Sequence, residues 1–430
     1  MRLFIALTAA LSLIACGALP NGQAPAPASP VADDIARGPF VSAANPMAAE
    51  GGMAVLRQGG SAVDAAVAVQ AVLGLVEPQS SGLGGGAFLV FYDADSREVT
   101  VYDGRETAPA SATTDLFLRD GRPEDFRSAV LSGRAVGTPG AVAMLAMAQG
   151  QHGRLPWSDL FGEAERLARE GFVVPPRLGT FINLAEDQAP QSHTAWADAY
   201  FERPDGTRPR AGEVMTNPAY AETLRHLAQE GPDYFYRGAL ARQIVETVHA
   251  GDDPGGLTQA DLAAYRPLRR EAVCQPYRIY VVCVPPPRSS GVALLQLLAM
   301  AEQTPDINRG AASPEAWVAF ARLQRLMYAD RDLYVGDADH VAVPVAGLLD
   351  PSYVAERAAL IPTVTGPVGP GTPPGAPAER APDTTQEPAG TSHFVIVDQW
   401  GNAVSMTTTV ESLFGSGRMA GGFFLNNQMT

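Results

Sequence analysis

The abrupt boundary at Gly390–Thr391 constrains this chain more than any other feature. From about residue 362 to Gly390 the sequence runs PTVTGPVGPGTPPGAPAERAPDTTQEPAG, poor in apolar side chains and rich in proline and glycine. Such a run buries too little surface to order itself and reads as a loop or linker. It stops against TSHFVIVD, where Thr391, Phe394, Val395, Ile396 and Val397 carry the β-branched and aromatic character of a strand. A small hydroxyl residue therefore opens a strand at the edge of a cuttable segment. Two readings follow: Thr391 is an ordinary first strand residue, or it is a nucleophile that self-cleavage exposes. The second has a chemical basis. A threonine hydroxyl needs a base beside it. The α-amino group freed by cutting before Thr391 titrates at about 7.7–8.0 and lies within reach of that hydroxyl.

Beyond the strand, Gln399-Trp400-Gly401-Asn402 reads as a hairpin turn and Ala403 to Thr409 (AVSMTTT) as its return strand. Pairing Asp398 with Ala403 places Thr391 opposite Val410, with Thr409 and Glu411 on either side. There a hydroxyl orients the nucleophile and a carboxylate holds a substrate ammonium. A threonine-rich strand is also ordinary sheet composition.

The segment TSHFVIVDQWGNAVSMTTTVESLFGSG…NNQM resembles the γ-glutamyltransferase (glutathione hydrolase) family of N-terminal nucleophile hydrolases. So do ANPMAAEGGMAVLRQGGSAVDAAVAV, PQSSGLGGGAF, YDGRETAPASA, GTPGAV, GLTQADLAAYRP, PPPRSSG and YADRDLYVGD, in the family's order from about Gly38 to Thr430. The resemblance implies an α+β fold, the four-layer αββα sandwich of that superfamily. It makes Thr391 the nucleophile and Gly390–Thr391 the self-cleavage site. Thr409 becomes the hydroxyl bonded to the nucleophile, and Glu411 and Gln428 the contacts to the substrate α-amino group. Arg105 becomes the grip on the γ-glutamyl α-carboxylate, a task suited to a guanidinium fork. Without its motif Arg105 reads as a structural ion-pair residue. The implied divisions are a large-subunit part at 38–361, the loop at 362–390 and the start of a small subunit at 391–430. The sequence departs from the family at its end. An acidic residue of the α-amino site, a Ser-Ser pair and a Gly-Gly turn that supply oxyanion donors are not reached. Loss of a single such donor costs about 10²–10³ in rate. The expectation is a truncated C-terminal part and a chain that is inactive by itself.

At the other end, Arg2 precedes LFIALTAALSLIA and Cys16. The apolar stretch is too short to span a bilayer and reads as a signal peptide. Leu13-Ile14-Ala15-Cys16 resembles a lipobox, which makes Cys16 a lipidation site; an ordinary secretory signal is the alternative. Residues 1–16 are then the signal and 17–37 a proline- and alanine-rich tether. The implied location is the bacterial envelope, facing the periplasm, on the outer membrane rather than the inner because Gly17 follows the cysteine. A net charge of −15 argues against nucleic acid as a partner. The membrane is expected as a partner only through the lipid anchor. The run SAVDAAVAVQAVLGLVE carries Asp64 and Gln70 and opens on a Ser-x-x-Asp cap, so it reads as a buried helix. Cys274 and Cys283 flank QPYRIYVV; either they pair, with the chain turning near Gln275-Pro276, or they are two buried thiols.

Other chemistries find no foothold. The six histidines show no metal-ligand spacing, and no G-x-S-x-G elbow is present. The loop from Gly82 to Gly86 lacks a phosphate loop's Lys-Ser/Thr and reads as tight backbone under the site. His393 shares the strand face of Thr391 and reads as structural. Helical patterns fall at 48–59, 61–76, 157–171, 218–230, 239–250 and 314–336, and strands near 87–92, 99–103 and 278–284, an arrangement that suits an α+β sandwich. The combined expectation is a lipid-anchored enzyme, without metal or cofactor, that transfers the γ-glutamyl group of glutathione to water or to amino acid and peptide acceptors. Its large and small subunits come from one precursor. The alternatives are an acylase acting on β-lactam side chains, a poly-γ-glutamate processing enzyme, and an inactive binding lipoprotein.

Overall fold

The computed structural model describes residues 38–378, 381–382 and 390–430, with a compact unit over Pro39–Thr430. Cys16 and the tether at 17–37 lie outside the described residues, as do 379–380 and 383–389 of the loop. The strands that position the site are β1 (Phe40–Ser42), β2 (Gly86–Tyr92), β3 (Val99–Gly104), β4 (Leu268–Glu271), β5 (Val273–Tyr277), β6 (Tyr280–Val284), β7 (Thr391–Val397) and β8 (Ala403–Thr409). The helices used below are α1 (Pro46–Arg57), α2 (Ala62–Val76), α3 (Ala141–His152), α4 (Gly291–Glu302), α5 (Pro314–Tyr334) and α6 (Pro351–Ala359).

Six strands form one antiparallel sheet in the order β1-β7-β8-β2-β3-β4. The last two strands of this sheet in chain order thus enter between the first two. Period-two alternation divides β7: Ser392, Phe394 and Ile396 are buried on one face, while Thr391 and His393 on the other are exposed. Beneath the buried face lies α2, every residue of which is buried, as an all-round apolar sequence requires. Its start is fixed by a capping box. Ser61 Oγ accepts from Asp64 N at 3.2 Å, and Asp64 Oδ2 accepts from Ser61 N at 2.9 Å.

The hairpin register corrects the expectation by one residue. Thr391 lies opposite Thr409, and Val397 rather than Asp398 pairs with Ala403. The cause is Asp398 itself. Its carboxylate accepts from the Trp400 and Asn402 amides, each at 3.0 Å, and from Ala62 N at the head of α2, at 3.1 Å. Its backbone N–H donates to Asn402 O at 3.0 Å, so Asp398 lies opposite Asn402 while its side chain builds an Asx-type turn and caps a helix. A one-residue slip moves a side chain to the other face. The observed register therefore puts the Thr391 and Thr409 hydroxyls on the same face.

Other expectations are refined. The strand expected at 278–284 begins at Tyr280, because the chain turns at Arg278-Ile279, with φ 55° at Arg278, and Gln275-Pro276 lie inside β5. That turn sets Cys274 opposite Cys283, and the two form a disulfide. The helix expected at 157–171 divides into a 3₁₀ turn at Trp157–Leu160 and a helix at Gly162–Glu170. The loop at 362–390 is not featureless. Its first half is tied down by the buried pair Asp330–Arg357, at 3.0 Å. Asp330 accepts from Gly371 N at 2.9 Å, and Arg357 donates to Gly369 O at 3.1 Å. These polar anchors on α5 and α6 add to the modest apolar burial of Val364, Val368 and Ala376. α3, α4 and α6 carry no strong sequence signal yet are present. Among the described residues the other sheets have two strands each, so the structure shows a mixed α/β fold with one large sheet over helices. No described helix is long and apolar enough to cross a membrane.

Candidate active site

The register brings three groups together at the start of β7. Thr391 Oγ1 donates to Thr409 Oγ1 at 3.1 Å, and Thr409 Oγ1 donates to the Gly390 carbonyl at 2.8 Å. The Glu411 amide donates to the same Thr409 oxygen at 2.8 Å. One hydroxyl thus touches both the candidate nucleophile and the carbonyl of the bond before it. Gly390 is buried and Thr391 exposed. The backbone leaves no room for a side chain at Gly390, where a Cβ would lie 2.3 Å from Glu411 O. Beneath Thr409, the Gly82–Gly86 loop is tight backbone, as expected. A Cβ on Gly85 would meet Thr409 O at 1.9 Å, and Gly85 O accepts from Gly140 N and Ala141 N at the head of α3.

Two strands across, Arg105 follows β3. Gly86 pairs with Thr409, and Ala87 pairs with Gly104. Three strand spacings therefore separate Arg105 from Thr391, roughly 14 Å at ~4.8 Å each. An arginine side chain and a glutamyl group together span that gap. The Arg105 amide donates to Asp103 Oδ1 at 3.0 Å and its carbonyl accepts from the Tyr265 hydroxyl at 2.8 Å. With its backbone held, Arg105 lines a cavity of about 410 Å³ together with Glu106, Gln428, Arg288 and Ser289. Arg105 and Gln428, far apart in sequence, thus meet in one cavity, and Gln428 Oε1 is buried without a hydrogen-bond partner among the described residues.

The profile of the family described as Gamma-glutamyltranspeptidase matches residues 48–430. The chain is 35% identical over 446 residues to the glutathione hydrolase proenzyme of Bacillus subtilis (strain 168), covering 99% of this chain and 75% of that protein. It is similar to the crystal structure of Helicobacter pylori γ-glutamyltranspeptidase, with a TM-score of 0.70 and 30% identity over 75% of this chain and 91% of that one. A cephalosporin acylase from Bacillus halodurans aligns at TM-score 0.77 and 28% identity, over 91% of this chain and 69% of the other. The chain belongs to the γ-glutamyltranspeptidase family. It is an enzyme of the glutathione hydrolase type.

In this γ-glutamyltranspeptidase a further site residue is Glu106, which the sequence reading passed over. Its carboxylate side chain is 1% exposed, and neither oxygen has a hydrogen-bond partner among the described residues; the Gly86 and Glu106 amides face it without a well-formed bond. Burial pushes its carboxyl up to about 7. The Arg105 guanidinium, 3.7 Å away, pulls it down less than burial raises it, and the Glu411 carboxylate raises it further. The only sequence signal was an acid placed directly after Arg105 in YDGRETAPASA.

The remaining residues of the γ-glutamyltranspeptidase site are brackets. Asn426 donates to Gly84 O and Gly137 O, at 2.8 and 2.9 Å, and accepts from Gly137 N and Gln428 N at 3.0 Å. Asn427 Oδ1 accepts from Ser412 N at 2.8 Å. The two asparagines of NNQM thus fix the backbones on either side of Glu411 and Gln428. His393 sits against the Thr407 and Ser405 hydroxyls, at 2.8 and 3.3 Å, and burial lowers its pKa. These contacts suit the structural role read from sequence.

Proposed function

We propose that this γ-glutamyltranspeptidase, of the N-terminal nucleophile type, cleaves itself before Thr391 and then moves γ-glutamyl groups through an ester on the freed threonine. The observation that carries the reading is the Thr409 hydroxyl, bonded to both Thr391 Oγ1 and Gly390 O. In the first step Thr391 Oγ1 adds to the Gly390 carbonyl carbon. The oxygen that gathers negative charge is the one Thr409 already donates to. The Gly390–Thr391 C–N bond breaks as its nitrogen takes up the proton that Oγ1 gives up, leaving an ester on Oγ1 and a free α-amine on Thr391. Water hydrolyses the ester to a Gly390 carboxylate.

In turnover that amine takes the Oγ1 proton as the oxygen attacks the γ-carbonyl of glutathione or a related compound, and passes it to the departing amine. Water, or the amine of an amino acid or peptide, then releases the γ-glutamyl group. Arg105 receives the α-carboxylate. Glu411, Gln428 and Glu106 receive the α-ammonium through charge-assisted contacts. A glutaryl side chain has no such ammonium, so the same carboxylates disfavour the acylase reading. The chain matures into large and small subunits from one precursor and takes the four-layer sandwich architecture of the superfamily. It is lipidated on Cys16 and held at the periplasmic side of the outer membrane. The central test is intact mass with N-terminal sequencing of the protein beside Thr391→Ala. The parent is expected to split at Gly390/Thr391 and the variant to stay whole; two chains that both stay whole under folded conditions refute the mechanism.

A further inference from the structure

The turn after β8 holds a residue in an unfavourable backbone conformation at the centre of the chemistry. Glu411 has φ 80°, the left-handed region that a residue with a long side chain rarely occupies. The surroundings over-determine this conformation. Ser412 N is bonded to Asn427 Oδ1 at 2.8 Å, Asn427 N to Val410 O at 3.3 Å, and Glu411 O lies directly against Gly390. Strain held in this way concentrates at functional sites. Here it has a visible product: the Glu411 N–H points at Thr409 Oγ1.

From this geometry we propose that Glu411 is a positioning residue for self-cleavage through its backbone, separately from any part its carboxylate takes in binding substrate. The inference rests on the self-cleavage reading above. A hydroxyl offers one proton and two acceptor sites. At Thr409 the acceptor sites are filled by Thr391 Oγ1 and Glu411 N, and the single proton is left for Gly390 O. If the turn relaxes to negative φ, the Glu411 N–H leaves. The Thr409 hydroxyl is then free to rotate away from the scissile carbonyl, and the developing oxyanion loses its aligned donor.

A series at residue 411 separates backbone from side chain. Glycine and asparagine accept positive φ, whereas a β-branched residue resists it. Glu411→Gly and Glu411→Asn are expected to split at Gly390–Thr391 at least as fast as the parent, and Glu411→Val about five- to thirtyfold more slowly than the glycine variant, the ratio that the left-handed penalty sets. Glu411→Ala should fall between them and serves if the valine variant does not fold. On the cleaved enzymes the order is different. The KM for a γ-glutamyl anilide should rise in every variant that lacks the carboxylate, glycine included, so cleavage rate and KM do not rank the series alike. Cleavage rates that are uniform across the series, or that fall equally in Gly, Asn and Val, overturn the inference. A parent chain that stays whole overturns the self-cleavage reading and this inference with it. A parent that splits beside a uniform series overturns the inference alone.

Discussion

Glu106→Gln tests the electrostatics of the cavity directly. The folded chain raises this carboxyl from 4.5 to about 7, chiefly by burial. Because the folded pKa lies above the unfolded one, the folded state binds more protons over that interval. The associated stability is full below about 4.5 and is lost as pH rises through about 7. A displacement of about two and a half pH units corresponds to about 3 kcal/mol at ~1.36 kcal/mol per unit. Glutamine keeps the shape of the neutral acid and cannot ionise. Taking ~2.1 cal/mol/K of unfolding entropy per residue, the wild-type melting temperature should drop by about 3 °C relative to the variant between pH 5 and pH 8. Calorimetry of both proteins at unit pH steps reads this difference, and groups that titrate alike in the two cancel. Ligand binding should run the other way. An α-ammonium ligand favours ionised Glu106, so the wild-type KM for a γ-glutamyl anilide should fall by up to about tenfold per unit as pH approaches 7, while the variant's stays level. Parallel melting curves with parallel KM profiles would refute the assignment of Glu106 as a buried, titrating member of the site.

Other perturbations have outcomes that the geometry sets. Gly390→Ala pushes a methyl group against Glu411 O and should slow chain splitting by at least about tenfold, followed by mass spectrometry; a normal rate would mean that the carbonyl position is not restrictive. Thr409→Val should slow splitting by about 10²-fold, with Thr409→Ser close to the parent, since only the hydroxyl is required. Arg105→Ala should raise KM for a γ-glutamyl anilide by about 10- to 150-fold through loss of a charge-assisted contact, with a smaller change in kcat; an unchanged KM removes Arg105 from the carboxylate site. Replacing Cys274 and Cys283 by serine should cost about 2–3 kcal/mol of local stability at the β5–β6 hairpin and leave kcat unchanged, as hydrogen exchange and rate assays would show.

The site was legible where a local pattern carries the chemistry. Thr391 at a composition boundary, Thr409 at the end of the return strand and Glu411 beside it are all visible within twenty-one residues of sequence. The register between them was not, because Asp398 takes its conformation from a helix start 336 residues away. Glu106 was illegible for a different reason. Its meaning comes from burial, and an acid beside an arginine in sequence looks like any solvated pair. The anchoring of the 362–378 segment escaped a composition argument in the same way, since Asp330 and Arg357 on distant helices add polar ties to its few apolar contacts. Buried helix α2, by contrast, was readable from its cap and its largely apolar run, broken only by Asp64 and Gln70.

The place of β7 and β8 between β1 and β2 has a consequence for how the protein is made. Its central ladder joins residue 40 to residue 397 and residue 86 to residue 409, so contact order is high and folding correspondingly slow. At ~5–20 residues per second of synthesis, β1 waits roughly 20 to 70 s before its neighbour exists. During that interval β1 and β2 present unpaired edges, which favour aggregation unless a chaperone covers them. The same topology bears on the proposed cut. Two fragments produced by cleavage before Thr391 would share one ladder and could part only by melting the sheet, interlocked without any covalent link across the cut.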